Sequence, residues 1–442
     1  MPAPMELDAA TVARWLEPLA RRPEEIVEVF AERRWEAAID WTDGQPSQAR
    51  ICLNEGASAR WRRGAGQRFA FVSRCDEEGV RDAVRTVQKE SGLSSLPVRP
   101  ARPREAPAEE PRLEVDRWIK RLSALLARHA PRHRLCWTLR DIERRVIPAR
   151  GAAAAASRRL LSLEGSFTAV SRRGDERRGF SFHAPLADST ADELRAALAR
   201  AAEPRESANP CGQGETDVVL AGGCGAVLFH EILSHPLEAG AESPLSGLEQ
   251  ARLAAPEIEV RDDPTRLDLF GGYERDDEGT LPRAVKLLDA GRLSGRLTDR
   301  SHGPGPSNGH ARRAGPGDAP LPRGSNVLIA PGHSTAEEMV RRLSSGLWID
   351  EVDGGSVELA SGRFRLRFPR ARRVRRGRMA DECGAGLLSG EILAVLASVD
   401  PALGREARPY RSLGWCAHGG QVVPVQGSAP DILVRRIAVR PL

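Results

Sequence analysis

Lysine is nearly missing from this chain: of 66 basic residues only Lys89, Lys120 and Lys286 are lysines, and the other 63 are arginines. So lopsided a ratio reads as coding background, not as selection for a polyanion. A net charge of +5 over 442 residues is likewise a weak nucleic-acid signal. Aromatics are scarce at 5%, too few for a stacking platform for bases. No apolar run reaches about 18 residues, which excludes a helical membrane span. The seven cysteines (52, 75, 136, 211, 224, 383 and 416) are odd in number, scattered and without a CxxC pair. That excludes a disulfide framework or a zinc ribbon and fits a reducing compartment. The start, MPAPMELDAATVARW, lacks the basic and apolar stretches of a secretory leader. The expected location is cytoplasmic, with neither membrane nor nucleic acid as partner.

What is present is an ordinary globular balance, 40% hydrophobic and 29% charged, with 42 Gly and 32 Pro. The length suggests two to three domains. Helical periodicity marks Ala9–Arg21, Asp76–Glu90, Leu113–His129 and Thr190–Ala202, the last entered through Ser189. Alternating polarity marks strands at Glu36–Trp41, Gln67–Ser73, Leu135–Leu139 and Ser166–Ser171. Asp217–Ala221 reads as a buried strand, and Gly222-Gly-Cys-Gly225 as its turn into a helix. Beyond residue 255 strands and Gly/Pro turns dominate, as in an antiparallel sheet or barrel. The expected fold class is α+β. An N-terminal α/β domain (1–205, with a proline-rich loop over 93–112) precedes a mostly antiparallel, barrel-like C-terminal domain (206–442).

The stretch richest in chemistry is Ala226–Glu238, AVLFHEILSHPLE, which holds His230, Glu231 and His235 in a HExxxH arrangement. Histidines at i and i+4 sit about 40° apart on a helix and reach one metal; at i and i+5 they stand roughly 140° apart. A regular helix cannot aim both rings at one ion. Two local devices would solve this: Pro236 pushing His235 out of the helical region, or a one-residue π-bulge. Glu231 would then stand beside the ion as a base. The bare spacing also fits two histidines with ordinary hydrogen bonds, and it leaves a metal one protein ligand short. Candidates for the third are Cys224, Cys383, Cys416, His418 and Glu238.

Here the sequence resembles the TldD/PmbA family of metalloproteases. LFHEILSHPLEAG is similar to its HExxxHxLEGD helix, and Asp276-Asp-Glu-Gly-Thr280 with Gly295-Arg-Leu-Thr-Asp-Arg300 to its DDEGT…GxLxDR block. Ser307–Arg313 resembles GNGRR with an insertion, Leu321–Gly332 resembles MPRxTNxxIAPG, and Gly354–Phe364 resembles GGxVDxxSGxF. Gly414-Trp-Cys-Ala-His-Gly-Gly-Gln421 is similar to GxCGKxGQ. The blocks keep their order across 212–442. The resemblance implies Zn²⁺ held by His230, His235 and Cys416, with Glu231 as general base. It implies a metallopeptidase; a substrate bound as an extended strand along an edge of the strand-rich domain would restrict it to unfolded or small modified peptides. It also implies a dimer, either of this chain or with a metal-free sister subunit. Pro236 and Gly240 depart from the family's Gly and Asp. The competing expectation is a non-catalytic partner or scaffold subunit with a structural metal.

Asn308, His310 and Arg312 are candidate substrate contacts. Asp276, Asp277 and Glu278 read as a turn at a sheet edge in preference to a second metal site, and Cys224 as a small core residue. Nine of the sixteen residues over 363–378 are arginines, RFRLRFPRARRVRRGR. These read as a strand with Phe and Leu inside and Arg outside, followed by a solvated turn.

Overall fold

Side-chain alternation along very long strands organises the N-terminal half. In this computed structural model residues 5–43, 45–89, 104–105, 124, 133–171, 174–202, 209–303 and 305–442 are described. The helix expected at 113–129 and the proline-rich loop at 93–112 fall outside these, apart from residues 104–105 and 124. Helix α1 (Ala9–Leu16) starts at Asp8, whose carboxylate accepts from the Ala10 and Thr11 amides. It ends in a 3₁₀ turn at Glu17–Leu19, where Pro18 stops the α-helix short of the expected Arg21. Strands β1 (Ile26–Thr42), β2 (Gln45–Arg63) and β3 (Gly66–Val72) precede helix α2 (Glu77–Lys89). A two-residue β4 (Arg104–Glu105), β5 (His133–Pro148), β6 (Ala154–Ser171) and β7 (Gly174–Pro185) complete an antiparallel sheet in the order β3-β2-β1-β5-β6-β7, with β4 on β2.

The two faces of this sheet differ in chemistry. The odd-numbered residues of β1 are apolar and buried, except for the half-buried Arg33, which pairs with Glu55. Val27, Val29 and Ala31 pack with α1 and α2, while Trp35, Ile39 and Trp41 pack with Leu194 and Leu198 of the helix Thr190–Ala202. Even-numbered Glu28, Phe30 and Glu32 are also buried, beside Ser58 and Arg60 of β2, and face the C-terminal half.

In the C-terminal half an eight-stranded sheet runs in the order 354–358, 363–368, 386–391, 432–441, 214–220, 346–349, 371–375, 378–383. All its pairings are antiparallel except 214–220 with 346–349. A six-stranded sheet (292–293, 285–289, 260–262, 326–329, 426–429, 408–409) also contains one parallel pair, 326–329 with 426–429. The two end strands of each sheet are not paired with each other, so among the described residues the sheets are open, where a barrel-like closure was expected. The mixed, sheet-rich α+β character stands. The helix Gly225–Phe229 is buried all round and shares one apolar core with strands of both sheets. Its entry turn uses Gly222 and Gly223 at φ 61° and 93°, and a Cβ on Gly223 would fall 2.4 Å from the Arg408 carbonyl oxygen.

Candidate metal centre

The buried helix changes its hydrogen-bonding pattern where the histidines begin. Residues His230–Ser234 form a π turn, and the His235 amide donates to the His230 carbonyl, an i→i+5 bond. The imidazole centroids thereby come to 4.6 Å, although an α-helix would splay them. His235 itself stays helical at φ −60° and ψ −48°, so Pro236 does not push it out. Instead Pro236 opens the 3₁₀ turn His235–Leu237, where its missing N–H costs nothing.

Cys416 arrives from a distant hairpin. Strands Trp415–His418 and Gln421–Pro424 are joined through Gly419 and Gly420 at φ 59° and 76°, as a tight hairpin turn requires. The Cys416 Sγ lies 3.2 Å from His235 Nε2. One donor atom from each of His230, His235 and Cys416 falls within 4.8 Å of the others. A single ion about 2.0–2.3 Å from each donor spans that spread. His230 Nε2 is buried without a hydrogen-bond partner among the described residues, a costly state for a polar atom with no ion to meet. Burial raises the Cys416 pKa, but the two imidazoles outweigh it and bring the thiol down to about 4. Two imidazole nitrogens and a thiolate suit Zn²⁺ and leave a fourth position open.

Glu231 projects beside this trio, and burial pushes its carboxyl pKa up against the opposing pull of His230 and His235. Its side chain lies against Gly355 in the edge strand Gly354–Glu358, where an added Cβ would stand 2.8 Å from Glu231 Cγ. The trio and Glu231 are only 2–7% exposed.

A second layer fixes the donors. Glu238 Oε1 sits 3.4 Å from His235 Nδ1, and its Oε2 is 2.6 Å from His418 Nδ1. Burial opposes its charge, yet His235, His418 and Arg323 together hold Glu238 far below the usual carboxylate range. Arg323 donates to the Cys416 thiol at 3.2 Å and to the carbonyls of Cys416, His418 and Gln421, stapling the hairpin. The other third-ligand candidates lie elsewhere or play other parts. Cys224 and Cys383 are buried and donate to the Ile349 and Ala371 carbonyls, whereas Glu238 and His418 bring their own donor atoms within 4.8 Å of one on His235, beside the first trio and sharing that histidine.

The three residues expected to touch substrate are buried and engaged internally. His310 bridges Asn308 at 2.8 Å and Asp262 at 3.2 Å. The Asn308 amide meets the Thr298 amide and the Arg296 carbonyl. Arg312 donates to the Gly324 carbonyl and stacks on Tyr273. They hold the 323–325 segment against His230 instead of presenting a surface to a peptide. The acidic turn also lies inward. Asp277 meets Arg144, and Glu278 meets Arg60 at 2.5 Å, joining the even-numbered face of the N-terminal sheet. Arg323 and Gly355 were missed from sequence, although both lie inside the motif blocks.

Residues 213–440, a little over half of the chain, match the family model described as the PmbA/TldA metallopeptidase C-terminal domain. The chain belongs to the TldD/PmbA family. A relative from Methanothermobacter thermautotrophicus named "Metalloprotease" is 32% identical over 240 residues, covering 52% of each chain. One from Saccharolobus solfataricus, "Zinc metalloprotease TldD homolog", is 25% identical over 233 residues, covering 51% of this chain and 52% of its own. The matched part thus spans about half the length of these curated relatives. In overall fold the chain is similar to TldE from Thermococcus kodakarensis (TM-score 0.69, 18% identity, 98% and 100% of the two chains). TM0727 from Thermotoga maritima is similar too (TM-score 0.72, 17% identity, 98% and 100%). Among the described residues no helix is long and apolar enough to cross a membrane.

Proposed function

We propose that this chain is a zinc metallopeptidase acting on unfolded or small modified peptides. The observation that carries the reading is the convergence of His230, His235 and Cys416 on one point with Glu231 beside them. The relatives' names point the same way. His230, His235 and Cys416 would hold Zn²⁺, which supplies Lewis acidity that polarises a carbonyl and acidifies water toward neutral pH. Glu231 takes a proton from the attacking water and returns it to the leaving amine nitrogen as the C–N bond breaks. Glu238 and Arg323 act through the ligands, one on His235 and the other on Cys416. The peptide adds as an extended strand to the free edge of Gly354–Glu358, which places its backbone over Glu231 and restricts the site to chains without tertiary structure. A second subunit, identical or a metal-free sister, roofs this cleft.

A structural metal would need no buried carboxyl beside it, which favours catalysis over the scaffold reading. The test is Glu231→Gln, assayed for zinc by mass spectrometry and for cleavage of folded and unfolded forms of one protein. Zinc retained with cleavage reduced by about 10²–10⁴ is expected, as is loss of zinc in Cys416→Ser but not in Cys383→Ser. Activity surviving Glu231→Gln overturns the mechanism.

A further inference from the structure

The arginine-rich strand Arg363–Phe368 lies next to the open edge, and its register matters. It alternates strictly, with Phe364, Leu366 and Phe368 buried and Arg363, Arg365 and Arg367 exposed. Across from it on the edge strand, Gly354 pairs with Arg367, Ser356 with Arg365 and Glu358 with Arg363. On the other side Ser389 faces Arg365 and Glu391 faces Arg363. Arg363 is therefore bracketed by two glutamates, with Glu391 at 3.6 Å, and Arg367 has Asp353 at 3.3 Å. Arg365 is flanked by two serines and has no ion pair among the described residues.

Paired residues of neighbouring strands point to the same face, so a residue seated opposite Gly355 turns toward Glu231. Its two neighbours in the added strand turn outward, opposite Gly354 and Ser356. Those two positions carry almost no side chain, so nothing on the edge strand stands between Arg365 or Arg367 and a strand added beyond it. Two interstrand steps are about 9.5 Å. An extended arginine spans about 6–7 Å from its Cα, and a Glu or Asp reaching back covers about 3 Å more. The gap closes for an acidic side chain.

We propose that Arg365, assisted by Arg367, selects peptides with an acidic side chain one residue from the position paired with Gly355, close to the cleaved bond. At the far end of the edge strand Glu358 repels the same charge, so the preference is confined to one or two positions. This deepens the peptidase reading and rests on it.

The experiment walks Glu, Gln and Lys along each position of an alanine-rich quenched-fluorescent octapeptide. It measures kcat and KM for the zinc-loaded wild type, Arg365→Gln and Arg365→Glu. Anisotropy of the same peptides, unquenched and fluorescein-labelled, gives Kd independently of turnover. Wild type should favour Glu over Gln about three- to fivefold at one or two positions, through KM and Kd and not kcat, as partly screened ion pairs allow. The preference should vanish in Arg365→Gln, turn toward Lys in Arg365→Glu, and shrink in 0.5 M salt. Equal Kd for Glu, Gln and Lys at every position overturns the proposal, as does a Glu preference unchanged in Arg365→Glu. Selective binding without any cleavage would instead strike the peptidase reading and leave the arginine assignment standing.

Discussion

Replacing Gly355 by alanine adds one methyl group at the closest approach between the edge strand and the proposed base. The new Cβ would stand 2.8 Å from Glu231 Cγ, 3.0 Å from its Oε1 and 2.7 Å from Leu366 Cδ2. Carbon atoms rest at about 3.5–4.0 Å, so strand and carboxylate must separate by about 1 Å. Gly355 does not sit at positive φ, so the backbone accepts alanine and the whole effect is steric. Displacing a catalytic group by that distance costs on the order of 10²-fold in rate, and overpacking a buried contact costs about 1–3 kcal/mol. Gly354→Ala is the control, because a Cβ there meets nothing within 4 Å. We expect kcat/KM on an unfolded peptide to fall about 10²-fold in Gly355→Ala and to stay near wild type in Gly354→Ala. Zinc content should be unchanged in both. A folded, zinc-loaded Gly355→Ala within about twofold of wild type would refute the reasoning, because a rate insensitive to this contact does not depend on Glu231.

Three further outcomes follow from the packing of the two halves. A Cβ on Gly414 would lie 2.1 Å from His183 Cγ and Cδ2 on β7, two residues before Cys416. Gly414→Ala should therefore weaken zinc binding in a chelator titration, and unchanged affinity would detach the hairpin from the N-terminal sheet. Burial, with Arg140 nearby, drops the His183 pKa to about 3. The unfolded chain takes up a proton below about pH 6.5 that the folded chain refuses until about pH 3, so this term destabilises the fold as pH falls through that window. At pH 5 it is worth about 2 kcal/mol, and urea melts at pH 7.5 and 5 should show His183→Asn losing correspondingly less on acidification; equal losses would refute it. Finally, Glu278→Gln leaves Arg60 and Arg300 short of a buried partner and should cost about 3–5 kcal/mol in urea unfolding, with Arg60→Met recovering part in the double variant. An unchanged midpoint would show the network to be dispensable.

Some of these features were legible in the residues alone. The alternation of exposed Arg with buried Phe and Leu along Arg363–Phe368 follows its sequence, and α2 begins and ends within a residue of the expected span. The Arg of RFRLRF face out because a strand leaves them no other face. The fold of β1 was only partly legible, at Glu36–Trp41, because Ala, Glu and Arg are good helix formers. Their strand state comes from burial of both faces of the sheet, one by helices and one by the C-terminal half.

By itself the sequence determined which side chains could do chemistry here, since only a few residue types bind zinc or shuttle protons and the HExxxH spacing puts three of them within six residues. It also narrowed the way five-residue spacing could work to two local devices, and only the tertiary structure chose between them. A π turn needs a register of i→i+5 bonds that packing on all sides stabilises, and propensity carries no sign of it. Long-range contacts likewise brought Cys416, among five candidates, within reach of both histidines, because the distance between residues 235 and 416 is set by the sheets that carry them. They also turned Asn308, His310 and Arg312 inward, where hydrogen-bonding side chains that look free in sequence serve as scaffolding.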